Sequence, residues 1–252
     1  KARVNWCPKD KIGLANEEVV NGCCERCGTL VEKREKEQWM LRITKYADKL
    51  DKDLDSVDYL EKIILQQRNW IGKSEGAELE FEIKNSSEKI KVFTTRADTL
   101  MGATYVVLAP EHSLIENLKL KIENWNEVEK YIKETKSKTE IERVADEKDP
   151  STGSGQAKAG VELKGVRAIN PATKEEIPVW IDDYVLGNYG TGAIMAVPSH
   201  DERDLEFAKK YELAIKEITP DWDLLEKYGK KVTKFKLRDW VFSRQRYWGE
   251  PI

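Results

Sequence analysis

Three groups of residues in this chain have side chains whose types and spacing could do chemistry. The first is a set of four cysteines confined to the opening 27 positions: Cys7, Cys23, Cys24 and Cys27. Cys24-Glu25-Arg26-Cys27 forms a C-x-x-C knuckle, and Cys7 precedes it by sixteen intervening residues. Thiolates spaced this way can close a tetrahedral zinc site with metal–sulfur distances of about 2.3 Å. A zinc ribbon normally has a second knuckle, but in Cys7-Pro8-Lys9-Asp10 an aspartate stands where its second cysteine would be. That leaves Cys23 as the spare candidate for the fourth ligand. The plainer alternative is a site that has lost its metal and keeps four reduced thiols. No histidine or carboxylate is placed to activate a water there, so the expected zinc is structural and supplies folding energy.

The second group is KVFTTRADTLMG, residues 91–102, which offers Thr94, Thr95 and Thr99 around Arg96, Ala97 and Asp98. Hydroxyls and backbone donors at the end of a strand suit a ligand, because open α/β sheets bind at that end. The same residues also suit an ordinary ST- or Asx-turn that satisfies only its own backbone. The third group is YGTGAIMAVPSHDERD, residues 189–204. Ser199-x-x-Glu202 reads as a capping box, and Asp201 and Glu202 suit the first turn of a helix. Asp204 lies one turn further in, beside Leu205, where a carboxylate suits the ammonium group of a ligand. On a helix surface its removal is expected to change stability by no more than about 1 kcal/mol. His112, read as a surface turn residue, and His200 are the only histidines. A histidine-based triad or a histidine-rich hydrolytic metal centre is therefore excluded as the main reading.

These groups must be held by something, and the apolar periodicity says by what. Residues 1–34 read as a short strand-and-turn unit organised by the cysteines. Trp39, Ile43, Tyr46 and Leu50 predict a helix over 37–50, and a second runs from Val57 to Trp70 and ends at Gly72. The period then changes to two. Strands at 77–83 and 89–94 form a hairpin around Asn85-Ser86-Ser87, and 105–109 is a central strand. A helix from Trp125 to about Lys136 precedes a polar loop at 146–156. Strands follow at 162–169, 177–180 and 193–197, then a helix over 201–211 and a strand at 215–218. A helix at 221–228 and a strand at 231–237 close the pattern. The fold class is mixed α/β, rich in β. The expected divisions are a zinc-ribbon-like unit at 1–34, a helical linker at 35–74, a central domain at 75–220 and a return segment at 221–252.

Bulk composition narrows the function classes. The 43 basic and 46 acidic side chains leave a net charge of -3, so no global electrostatic signature of nucleic-acid binding exists and any such contact must be local. No apolar run approaches the roughly 20 residues of a membrane span, and no signal peptide opens the chain. Clustered cysteines without a dispersed disulfide framework point to a reducing cytoplasm. With no starting methionine and an amphipathic pattern cut short at the end, the chain reads as a piece of a longer polypeptide.

The stretches TTRADTLMGATY and YGTGAIMAVPSHDERD closely resemble the two editing-site signatures of class I aminoacyl-tRNA synthetases, and the leucyl enzymes fit best. The likeness extends to NWCP at 5–8, QRNWIGKS at 67–74 and RDWVFSRQRYWG at 238–249, and so covers nearly the whole chain. It implies the first connective polypeptide, the insertion that splits the catalytic Rossmann domain and hydrolyses the ester of wrongly charged tRNA(Leu). The HIGH and KMSKS motifs of amino-acid activation are missing, so no ligase activity is expected from this piece. ATP and magnesium belong to the parent enzyme alone, and hydrolysis needs no cofactor. By the family pattern Thr99 is the steric guard against leucine, and Met195 and Val197 line the side-chain pocket. Asp204 holds the α-ammonium, while Asp201, Thr94 and Thr95 support the site near the terminal ribose. Arg96 contacts phosphate or fixes the loop. The attacking water relies on the substrate's own ribose hydroxyl. The implied partners are the 3′ end of tRNA(Leu) and the catalytic body of the same synthetase, with the fragment itself a monomer. Ala97 departs from the family's usual proline, which puts the loop's rigidity in question. Two rival classes are an idle tRNA-binding module using Arg238, Arg244 and Arg246, and a metal-dependent hydrolase. Within the family, the valyl and isoleucyl editing domains are the alternatives.

Overall fold

A computed structural model describes residues 2–15, 18–137, 160–187 and 190–241. The polar loop expected at 146–156, together with Arg244, Arg246 and Tyr189, lies outside the described residues. The chain divides into two compact units, Lys1–Lys73 with Phe235–Ile252, and Ser74–Lys234. Residues 221–234 thus fall within the second unit.

In the first unit, β1 (Ala2–Cys7) is flanked by β2 (Ile12–Leu14) and β5 (Glu32–Lys36), both antiparallel to it. Between them β3 (Val19–Val20) and β4 (Cys23–Cys24) make a two-stranded ribbon. Cys7, Leu14 and Cys24 form a small buried cluster with Ile12, Val19, Cys27 and Val31 against it. The helix expected over 37–50 is not formed as such. β6 (Met40–Leu41) pairs instead with β14 (Trp240–Val241), and α1 begins only at Ala47 (Ala47–Asp53). The pairing strand lies two hundred residues away in sequence, so local periodicity could not reveal it. Asp239 completes the substitution: its Oδ1 accepts from the Thr44 backbone N–H at 3.2 Å and hydroxyl at 2.8 Å. α2 (Glu61–Ile71) ends at Gly72, which adopts the left-handed φ of 58° expected of a helix terminator.

The second unit is built on a seven-stranded mixed sheet in the order β12-β9-β11-β10-β7-β13, with β8 also on β7. These are β7 (Lys73–Ile83), β8 (Lys89–Thr94), β9 (Tyr105–Leu108), β10 (Val161–Ile169), β11 (Glu176–Ile181), β12 (Ala193–Ala196) and β13 (Gly229–Phe235). β9 and β11 run parallel, while β10 with β11, β10 with β7, β12 with β9 and β7 with β8 run antiparallel. The two-residue alternation explains the layers. Val106 and Leu108 face the main core with Val179, Ile181, Met195 and Val197, while Tyr105 and Val107 face a smaller aromatic core with Trp180 and Phe207. Strand β9 is buried on both sides, as its unbroken apolar run requires. On the main-core side lie α3 (Ser113–Asn117), α4 (Trp125–Ser137) and α6 (Asp223–Tyr228). Over the aromatic core lies α5 (Glu202–Lys210), through Phe207 and Ala208.

Residues 215–218 form no strand. Their alternation serves packing: a Cβ added at Gly102 would meet Ile218 at 2.9 Å, so Ile218 lies directly over that glycine. No helix among the described residues is long and apolar enough to cross a membrane.

Candidate active site and metal-binding cluster

In the first unit two tight turns bring their side chains to one point. Lys11 donates its backbone N–H to the Cys7 carbonyl at 2.8 Å, and Gly28 donates to that of Cys24 at 2.9 Å. Both donors are left-handed, at φ 57° and 68°. The two turns are therefore the same knuckle used twice, with Asp10 where Cys27 stands in the other. The ligand atoms of Cys7, Asp10, Cys24 and Cys27 all lie within 4.8 Å of one another. Cys7 Sγ is 3.4 Å from Cys27 Sγ, and the Cys7 and Cys24 thiols donate to Asp10 Oδ2 at 3.4 and 3.3 Å. A tetrahedral zinc requires sulfur–sulfur edges of about 3.8 Å, so this cluster could hold a metal ion.

The fourth corner belongs to Asp10, not to Cys23, which is absent from the cluster. Adjacent residues of a strand point to opposite faces, so Cys23 and Cys24 on β4 cannot both turn inward. Burial pushes the Cys7 thiol up to about 11. Hydrogen bonds from Cys27 and then Cys24 hold the Asp10 carboxyl below its ordinary range. A cation here would meet one ready anion and three thiols able to ionise on its arrival.

The second unit gathers the threonine turn and the start of α5 at one end of β9 and β12. Thr104 donates its backbone N–H to the Ala196 carbonyl at 3.1 Å, which brings the segment leaving the turn beside the end of β12. Val197 is the meeting point: a Cβ added at Gly102 would meet its Cγ1 at 3.0 Å, and its N–H is bonded from the other side by Asp204. Met195 and Val197 are both buried and face the main core.

Inside the turn, Arg96 is held three ways. Its N–H donates to Thr94 Oγ1 at 3.0 Å, its carbonyl accepts from Thr99 Oγ1 at 2.8 Å, and its guanidinium grips Asp98 through Nε and Nη2 at 3.0 Å each. Asp98 is 1% exposed and Arg96 half-exposed, so the pair closes the turn from outside. Ala97, at the usual proline position, is itself buried between these anchors. Thr99 is buried with its hydroxyl committed to the Arg96 carbonyl, whereas Thr95 is exposed.

At the start of α5 the structure changes the reading of the capping residue. The cap is Asp201, whose Oδ1 accepts from the Asp204 N–H at 3.0 Å. Ser199 Oγ instead pairs with His200 Nδ1 at 2.9 Å. An ionised Asp is a stronger acceptor than a serine hydroxyl and is favoured by the helix dipole. Asp204 is 5% exposed and so is not on the helix surface. Its Oδ2 accepts from Val197 N–H at 2.8 Å, and its Oδ1 is buried with no hydrogen-bond partner among the described residues. Burial raises its pKa to about 6, against the opposing Val197 hydrogen bond. His112 is half-buried rather than a bare turn residue: its Nδ1 caps α3 by accepting from Leu114 N–H.

Three acids escaped the sequence reading or were undervalued by it. Asp10 stood at the knuckle position, which was a usable signal. Asp98 follows Arg96 by two residues, but nothing local marks it as buried. Asp182 left no signal at all. It is fully buried after β11, with Oδ2 unpartnered among the described residues, and burial raises its pKa to about 7.

A β-rich mixed sheet with a threonine turn between β8 and β9 and a buried, half-satisfied carboxylate just beyond β12 is the editing-domain fold of class I aminoacyl-tRNA synthetases. The family model of the leucyl-tRNA synthetase editing domain matches residues 68–237, and the chain belongs to that family. It is 48% identical to the leucine–tRNA ligase of Alkaliphilus oremlandii (strain OhILAs) over 99% of this chain and 34% of that protein. With the leucine–tRNA ligase of Elusimicrobium minutum (strain Pei191) the identity is also 48%, over 99% and 33%. Among solved structures, it is similar to the agnB2 LeuRS of Agrobacterium radiobacter K84 in ternary complex with tRNA and LeuAMS. The TM-score there is 0.75 at 34% identity, covering 98% of this chain and 31% of that one. The chain thus spans about a third of the length of the relatives it matches.

Proposed function

We propose that this chain hydrolyses the ester linking a wrong amino acid, such as isoleucine, methionine or norvaline, to the 3′ end of tRNA(Leu). The single observation that carries the reading is Asp204: a buried carboxylate with one oxygen anchored by Val197 N–H and the other unpartnered. That oxygen suits the α-ammonium of an aminoacyl ester, a charge-assisted contact worth about 1.5–3 kcal/mol. Thr99, Met195 and Val197 form the side-chain sieve, because a synthetic pocket alone separates near-isosteres by only about 1–3 kcal/mol per methylene. Since the Thr99 hydroxyl donates to the Arg96 carbonyl, its methyl is the part left to exclude leucine. Thr94, Thr95 and Asp201 attend the terminal ribose, whose own hydroxyl orients the attacking water. Arg96, fastened to Asp98, keeps the turn in shape.

In this reading the cysteine cluster holds one structural zinc through Cys7, Asp10, Cys24 and Cys27. The metal would tie the two knuckles together and takes no part in hydrolysis. The catalytic body of a longer synthetase, acting in the cytoplasm with ATP and magnesium, is the proposed partner. Deacylation of Ile-tRNA(Leu) with and without EDTA tests the whole assignment. Hydrolysis that persists under EDTA and falls at least about 10-fold in Asp204→Asn supports it. An inert parent chain, alone and within the synthetase, would refute it.

A further inference from the structure

We infer that Arg203 is a positioning residue for this hydrolysis: held between Asp201 and the Tyr184 ring, its guanidinium keeps the Asp204 carboxylate charged while leaving Oδ1 open to a ligand's ammonium. The inference rests on the proposed role of Asp204. Its geometry stands independently of that role.

Arg203 Nε lies 4.0 Å from Asp204 Oδ1 and 3.9 Å from Asp201 Oδ1. The guanidinium carbon sits 4.7 Å from the centroid of the Tyr184 ring. An arginine beside a carboxylate ordinarily closes to a two-bond fork at about 2.7–2.9 Å. Here it stops short. Its guanidinium instead lies over the Tyr184 ring and near Asp201. At 4.0 Å the cation still acts on the carboxylate through space, but it does not take the lone pairs of Oδ1. A closed fork would fill the very oxygen that the ammonium needs.

Among the described residues, the groups facing Asp204 include no cation besides Arg203. From α5 come Asp201 and Arg203 itself; from β9 comes Tyr105; from the turn after β11 comes Tyr184. Tyr105 donates its hydroxyl to the Asp204 backbone carbonyl at 3.0 Å and is therefore turned away from the carboxylate. Burial, and then the charge of Asp204, push both phenols well above their ordinary range, so neither ionises. Asp201 is a like charge and opposes the ionised form of Asp204, and Arg203 is the cation that favours it. The remaining favourable contact, Val197 N–H, is fixed by the end of β12.

The test is a carboxyl-carbon NMR titration of Asp204 in the 252-residue chain, with the resonance assigned by its loss in Asp204→Asn. Arg203→Gln is expected to raise the Asp204 pKa by about 0.5–1 unit. Arg203→Lys, which keeps the charge, returns it to near the parent value, and Asp201→Asn lowers it. Tyr184→Leu frees the guanidinium to close on Oδ1. It lowers the Asp204 pKa while raising KM for Ile-tRNA(Leu) about 2- to 5-fold, because the guanidinium then competes with the ammonium for Oδ1. In the pH profile of kcat/KM, the acidic limb of Arg203→Gln moves up by the same amount as the NMR titration. An Asp204 titration unmoved by Arg203→Gln, or one that Arg203→Lys fails to restore, overturns the inference. So does a shift in titration with no shift in the limb of an active enzyme. A parent chain without deacylase activity would instead sink the functional reading and leave the titration to decide the electrostatics.

Discussion

The cysteine cluster of the first unit and the start of α5 in the second both crowd polar atoms into a small space, by opposite means. Around Cys7 and Cys24 the apolar support is slight: among the described residues, Leu14 is the one other buried side chain in that core. The polar atoms converge on a common centre and bond to each other, thiol to carboxylate and thiol to thiol. Around Asp204 the support is Tyr105, Trp180 and Phe207, with ring centroids 5.2 Å apart for each pair with Phe207. There the polar atoms are kept apart, and one oxygen is left without a hydrogen bond. The lesson is about what each region requires from outside. A convergent cluster on a thin core needs an ion to hold it together, whereas a rigid core can keep a carboxylate half-satisfied and ready for a passing ligand.

If the contrast is right, removing metal should break the first region and spare the second. Purified protein should contain close to one zinc per chain, and chelation should open amide exchange across residues 2–36 while the sheet of residues 74–234 keeps its protection. Zinc content near zero in freshly purified protein would end this half of the comparison. Asp10→Ala should weaken metal retention and Asp10→Cys strengthen it, whereas Cys23→Ser should change neither.

The second region should show the opposite weakness, a sensitivity to charge. Asp182 is buried with its pKa raised to about 7 from an ordinary 3.8. Between these values the native state binds more protons than the unfolded one, so stability contributed by this residue falls as pH rises from about 4 to 7. Asp182→Asn should therefore stabilise the protein above pH 7 by about 2–4 kcal/mol and have little effect below pH 4. Denaturant melts at pH 4 and pH 8 check this; equal shifts at both would contradict it.

Asp204 is the next largest. Asp204→Asn retains an acceptor for Val197 N–H but loses the charge, so hydrolysis of Ile-tRNA(Leu) should fall about 10- to 150-fold, the worth of a charge-assisted contact. Asp204→Ala should also destabilise the fold, by about 1–3 kcal/mol, because it orphans that buried N–H. With its pKa near 6, the parent's activity should decline below pH 6 as the carboxyl takes up a proton and can no longer balance an ammonium. A flat acidic limb would argue that Asp204 does not hold the charge.

Thr99 sharpens the picture most finely. Thr99→Ala removes the methyl and should let the enzyme attack Leu-tRNA(Leu) about 5- to 150-fold faster, from a barrier of about 1–3 kcal/mol. Thr99→Val keeps a methyl at that place and loses only the bond to Arg96, so it should continue to spare Leu-tRNA(Leu). If Thr99→Val behaves like Thr99→Ala, the hydroxyl, not the methyl, is the guard.

Much of this was legible in the residues themselves. Strand periodicity located β7 to β12 and the Asn85 turn, because burial on a sheet face imposes its two-residue repeat wherever the chain runs. The knuckle showed itself through cysteine spacing, and the two signatures through their residue types. The failures share one cause. Trp39 to Leu50 looked helical because its periodicity is real, yet Trp39 is 69% exposed and Met40–Leu41 pairs with a strand contributed from the far end of the sequence. Ile215–Ile218 alternates like a strand, but no sheet edge receives it.

By itself, then, the sequence determined the family, the mixed α/β class, the strand faces and the residues to suspect: Cys7, Cys24, Cys27, Thr99 and Asp204. Each rests on covalent spacing or on a side chain's own chemistry, and these are present in the unfolded chain. Only the tertiary structure decided that Asp10 rather than Cys23 closes the cluster, that Asp201 rather than Ser199 caps α5, and that Asp204 lies inside with one oxygen unpartnered. Those outcomes depend on which side of a strand faces inward and on how much water the neighbours exclude, and both are set by segments distant in sequence.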